Sequence, residues 1–63
     1  MPIITVEGPQ ISKEQKRQLV GEITKAASDI IRLPAEYITV LIKENGHDNI
    51  GVGGSLLSDA EAQ

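Results

Sequence analysis

The sequence has no cysteine, no tryptophan and no phenylalanine, and only one tyrosine and one histidine. Without cysteine there are no disulfides and no thiolate metal sites. The lone His47 is too little for an imidazole-based centre, and no spaced carboxylate run resembles a calcium loop. No metal and no cofactor is therefore expected. With 2% aromatics there is no base-stacking platform, and a formal net charge of −3 offers no basic surface, so no nucleic-acid partner is expected. No apolar run nears the ~20 residues that span a bilayer. The opening "MPIITV" is short, uncharged and soon followed by Glu7, unlike a secretory leader. The expectation is a cytoplasmic chain with no membrane partner.

What is present is 63 residues with a hydrophobic share of 40%. That length implies one domain, residues 1–63, and that share is too high for a disordered chain of modest charge. A domain this small buries only about 60% of the surface its unfolded chain exposes. With disulfides and metals removed from the list of supports, oligomerisation remains.

The chain reads as strand, helix, strand and a glycine-rich tail. Ile3–Val6 is a β-branched run that predicts a buried strand, and the turn residues of "EGPQ" predict its end. Ser12 followed by Gln15 has capping-box spacing. Leu19, Val20, Ile23, Ala26, Ala27, Ile30 and Ile31 then form one continuous helical stripe. Pro34 disfavours helical geometry at Leu33, so the helix should stop near Arg32. "YITVLI", Tyr37 to Ile42, predicts a second strand, apolar enough to be covered on both faces. Strand, helix and strand make a right-handed βαβ unit with a parallel pair. One helix covers one face of that sheet; the other is left for a partner subunit. Asn45-Gly46 is a turn signal, "NIGVGG" predicts a short hairpin, and "SDAEAQ" a frayed or weakly helical end.

Pro2 raises a chemical question. A proline can simply open an edge strand, where its missing N–H costs nothing. If Met1 is removed, Pro2 instead carries a free secondary amine at the mouth of an apolar strand.

Pro2 behind Met1, "SKEQKRQLV" (Ser12 to Val20), "ITVLIKE" (Ile38 to Glu44) and "NIGVGG" (Asn49 to Gly54) together resemble the 4-oxalocrotonate tautomerase family, whose best-known members are 2-hydroxymuconate tautomerases. The resemblance covers about residues 2 to 57. It implies an α/β (α+β) fold: a β-α-β protomer with a C-terminal β-hairpin, sheets paired between subunits, and a homohexamer built as a trimer of dimers. It implies Pro2 as the general base of keto–enol proton transfer on a small enol or α-keto acid. An α-amino group titrates near ~7.7–8.0, and apolar surroundings disfavour its charged form, so such an amine is a usable base near neutrality.

The sequence departs from the family pattern in its cations. The family places one arginine just before the helix and another early in the second strand. Here the first segment reads "GPQIS" and the second position is Thr39; the family's hairpin aromatic falls at Ile50. Lys43, two positions from Leu41 and four from Thr39, is the candidate replacement cation on that strand face. The expected pocket is Thr39, Leu41, Lys43, Ile50 and Val52 around Pro2. Two alternatives stay open: a catalytically weak binding or structural oligomer of the same fold, and Pro2-dependent hydration of an activated unsaturated acid. The glycines at 51, 53 and 54 lack the lysine and helix start of a phosphate loop, and turn geometry or a subunit contact accounts for them better.

Overall fold

The structure, a computed structural model, describes residues 2–61. The question of Met1 removal falls outside the described residues. The element order is strand β1 (Ile3–Gly8), helix α1 (Lys13–Ile31), a 3-10 turn at Ala35–Tyr37, strand β2 (Thr39–Glu44), a 3-10 turn at His47–Asn49, strands β3 (Gly51–Val52) and β4 (Ser55–Leu56), and a short helix α2 (Leu57–Glu61). β1 and β2 pair in parallel, from Ile3 beside Thr39 to Gly8 beside Glu44. β3 and β4 form a separate antiparallel hairpin.

α1 begins where the capping box predicts. The Ser12 hydroxyl accepts the Gln15 N–H at 3.1 Å, and the Gln15 side-chain oxygen accepts the Ser12 N–H at 3.0 Å. Two otherwise orphaned donors are satisfied together. The helix closes at Arg32, whose N–H donates to the Ser28 carbonyl at 2.9 Å. Arg32 has φ 65° and ψ 48°, the left-handed region that glycine usually fills at this position.

Both long strands differ from the sequence expectation. β1 runs on through Glu7 and Gly8, because the parallel ladder carries them opposite Lys43 and Glu44. β2 starts at Thr39 instead of Tyr37: Pro34 precedes a 3-10 turn in which the Tyr37 N–H donates to the Pro34 carbonyl at 3.0 Å. The turn signal at Asn45-Gly46 marks the end of β2. It continues into the 3-10 turn, with the Asn49 N–H donating to the Gly46 carbonyl at 2.8 Å. The hairpin turn is made by Gly53 and Gly54, with φ of 61° and 89°. Positive φ at both central residues matches the twist of the flanking strands.

The helix covers one face of the two-stranded sheet. Ile4 and Val6 of β1 and Val40 and Ile42 of β2 alternate onto that face and are half-buried. On the opposite face Ile3 and Leu41 remain 57% and 45% exposed, so the expected cover on both faces is not supplied within one protomer. None of the described hydrophobic side chains is fully buried. A fully buried aliphatic side chain contributes about 1.5–3 kcal/mol, so this protomer leaves much of that stabilisation unrealised. The molecule measures 47 Å along its longest axis, well beyond the ~28 Å of a 19-residue helix. The hairpin and α2 extend it past the end of the sheet. No helix among the described residues is long and apolar enough to cross a membrane.

Candidate active site

Pro2 is half-buried at the entrance to β1. Its carbonyl accepts the Thr39 N–H at 3.0 Å, the bond that opens the parallel ladder. Lacking a backbone donor, proline fits this strand start without breaking a ladder bond.

The βαβ path gives the sheet two distinct ends. Pro2, Ile3 and Thr39 mark one. Gly8 and Glu44 mark the other, where the Asn45 N–H donates to the Gly8 carbonyl at 2.8 Å. α1 starts at this second end and returns to the first. The expected pocket residues divide accordingly. Thr39 is half-buried beside Ile3, and Leu41 lies two residues further along the same face. Lys43 shares that face but lies about 13 Å along the strand from Thr39, in register with Glu7. Ile50 follows the 3-10 turn beyond the second end, where its carbonyl accepts the Leu57 N–H at 2.9 Å. Val52, 66% exposed, precedes the hairpin turn. A single protomer thus brings Pro2 and Thr39 together and leaves Lys43, Ile50 and Val52 towards the opposite end.

Glu44 is a residue the sequence reading did not single out. One carboxylate oxygen accepts the Ile11 N–H at 3.0 Å, and the other lies 3.1 Å from the Lys16 ammonium. It fastens the segment before α1 and the first turns of the helix to the end of β2. The Ile11 amide, and then Lys16, hold its carboxyl below the ordinary carboxylate range; slight desolvation opposes them. No local sequence signal marks this contact, because its partners are distant in the chain.

Basic side chains are sparse and unevenly placed. Lys16 is paired with Glu44, Arg17 with Glu14 and Lys25 with Asp29. Two concavities lie along the first half of α1. One, of about 390 Å³, is lined by Lys13, Lys16, Arg17 and Val20; the other, of about 240 Å³, by Gln15, Gln18, Leu19 and Glu22. Both are open troughs on the helix, and neither is lined by Pro2.

A family model for "Tautomerase enzyme" matches residues 2–60, beginning at Pro2. The chain belongs to the tautomerase family. It is 44% identical over 62 residues to a probable tautomerase of Halalkalibacterium halodurans, covering 94% of this chain and 98% of that one. It is 41% identical over 64 residues to the 2-hydroxymuconate tautomerase of Bacillus subtilis, covering 97% and 100%. Its fold is also that of a crystallised 4-oxalocrotonate tautomerase homologue, TTHB242, with a TM-score of 0.84 at 33% identity over 94% of this chain and 95% of that one. The strand–helix–strand–hairpin order is therefore the tautomerase fold, and family membership supports a tautomerase-type isomerase activity.

Proposed function

We propose that this tautomerase uses the amine of Pro2, freed by removal of Met1, as the base and acid of keto–enol interconversion in a small enol or α-keto acid. The observation that carries the reading is the position of Pro2. It is half-buried at the first rung of the ladder, and the family match begins there. The neutral nitrogen takes the proton from the enol hydroxyl and becomes an ammonium. Electrons from the forming C–O⁻ collapse to the carbonyl while the C=C pair takes that proton at carbon. The amine returns neutral, and substrate and product are isomers. Proline's ring fixes the direction of the lone pair, so little orientation is lost in the proton transfer.

The working form in this proposal is a homo-oligomer, a hexamer made of three dimers. The open face bearing Ile3 and Leu41, and the lack of a fully buried hydrophobic side chain among the described residues, support assembly. In such an assembly the hairpin residues Ile50 and Val52 reach Pro2 of another subunit and supply the apolar wall.

The test is ketonisation of phenylenolpyruvate and of 2-hydroxymuconate by protein whose mature N-terminus has been verified by mass spectrometry. Turnover above the buffer rate, with kcat/KM rising as the free-enzyme base loses its proton, supports the proposal. A buffer-level rate with both enols at verified Pro2 N-terminus would end it.

A further inference from the structure

We propose that Asn45-Gly46 is a site of spontaneous deamidation, held in check by Glu7, whose product loosens the end of the sheet opposite Pro2. The inference is independent of the proton chemistry at Pro2.

The chain has two asparagines, Asn45 and Asn49. Asn45 precedes Gly46, which has no Cβ to shield its backbone nitrogen from the Asn45 side chain. Asn49 precedes Ile50, whose branched Cβ crowds the same approach. In the reaction the Gly46 nitrogen gives up its proton and attacks the Asn45 Cγ. A C–N bond forms, the Cγ–Nδ2 bond breaks, and ammonia leaves with that proton. Water then opens the cyclic imide at either carbonyl. The product is aspartate, or isoaspartate with an extra methylene in the main chain. Both carry a carboxylate.

Position decides what the reaction does to the fold. The register of β1 and β2 ends at Gly8 beside Glu44, and Gly46 lies beyond it. Two bonds restrain the half-buried Asn45 there. Its N–H donates to the Gly8 carbonyl at 2.8 Å, and its Nδ2 donates to the Glu7 Oε1 at 3.1 Å. The second bond holds the leaving amide, so ring closure requires it to open locally. After deamidation a carboxylate oxygen stands where the Nδ2 donor faced the Glu7 carboxylate, and like charges so placed repel. Lys43 is in register with Glu7, yet among the described residues it makes no ion pair that would offset the added charge.

The backbone does not demand this glycine. Gly46 has φ −65° and ψ 151°, which any residue adopts, and an added Cβ would meet the Asn49 Nδ2 at an ordinary 3.9 Å. Gly46→Ala should therefore fold as wild type does.

The experiment incubates the intact protein near neutral pH, below its unfolding temperature, and follows both asparagines by peptide mapping with mass spectrometry. Wild type should accumulate aspartate and isoaspartate at position 45 and neither at position 49. Gly46→Ala should lose these products over the same interval. Glu7→Ala should form them about 2–10-fold faster, the factor for one lost hydrogen bond. Asn45→Asp should lower the thermal midpoint, and adding Glu7→Gln should restore it, because the glutamine amide then donates to the new carboxylate. No product at position 45 in wild type, equal product in Gly46→Ala, a rate unmoved by Glu7→Ala, or an Asn45→Asp midpoint equal to that of wild type would overturn the proposal.

Discussion

Glu44 and Ile11 stand 33 residues apart in the chain, yet the Glu44 carboxylate accepts the Ile11 amide hydrogen at 3.0 Å. Lys16 completes the arrangement from the first turns of α1. Glu7 and Lys43 lie on the other sheet face, so Lys16 is the charged neighbour that faces this carboxylate. Because the folded-state pKa is lowered, the stabilisation is fully present above the unfolded value of 4.5 and is lost as pH falls through the lower folded value. Glu44→Gln should lower the thermal midpoint near neutrality. The gap between the two proteins should narrow as pH falls below 4.5 and close once the folded-state carboxyl is protonated. A gap of constant size over that range would contradict the assignment.

The open sheet face predicts a defect in assembly. Leu41, 45% exposed in the protomer, sits at the middle of β2 on that face. Leu41→Lys would place a charge where the proposed partner sheet packs, and desolvating an unpaired charge is costly. Association should weaken on the order of 100-fold or more. Sedimentation velocity at micromolar concentration would show a smaller species than wild type. An unchanged sedimentation coefficient would place the interface elsewhere.

Gly54 tests the hairpin without touching the sheet. Its φ is 89°, and an added Cβ would meet nothing within 4 Å. The cost of Gly54→Ala is therefore one of backbone conformation, about 1–2 kcal/mol. Gly51→Ala is the matched control, since its Cβ would meet the Ser55 carbonyl at an ordinary 3.7 Å. Urea unfolding should show a clear loss for the first and little change for the second.

Substrate preference follows from where the chain lacks cations. The two positions where the family carries arginines hold no basic residue here, the segment before α1 reading Gly8 to Ser12 and β2 opening on Thr39, so a dicarboxylate meets no paired cations there within the protomer. An unpaired carboxylate against apolar side chains is penalised. Phenylenolpyruvate should therefore show a lower KM than 2-hydroxymuconate, and steady-state kinetics on the two enols would reveal the reverse if a neighbouring subunit supplied such cations.

The helix was the most legible element, because Ser12, Gln15 and the apolar stripe are local signals that act within a few turns. The hairpin was legible in its glycines for the same reason, and its turn falls at Gly53-Gly54, inside the stretch expected to form it. Strand ends were less so. Glu7, Gly8, Lys43 and Glu44 carry weak strand propensity and are extended because each pair supports the other across the ladder. Of the expected pocket residues, Pro2 and Thr39 were named from the family resemblance, and the first ladder bond joins their backbones. Lys43 illustrates the opposite case. Alternation correctly puts it on the face of Thr39 and Leu41, but alternation fixes a face and says nothing of distance from Pro2.

The central claim is that the Pro2 nitrogen moves the proton, and the state of that nitrogen can be changed without altering any side chain of the site. Matched preparations with and without Met1, each confirmed by mass spectrometry, should be compared on phenylenolpyruvate. With Met1 attached the nitrogen is an amide and accepts no proton near neutral pH. The account predicts that ketonisation by the Met1-bearing protein falls to the buffer rate, a loss of at least about 100-fold, as expected for removal of a general base. Equal rates in the two preparations would show that another group carries the proton.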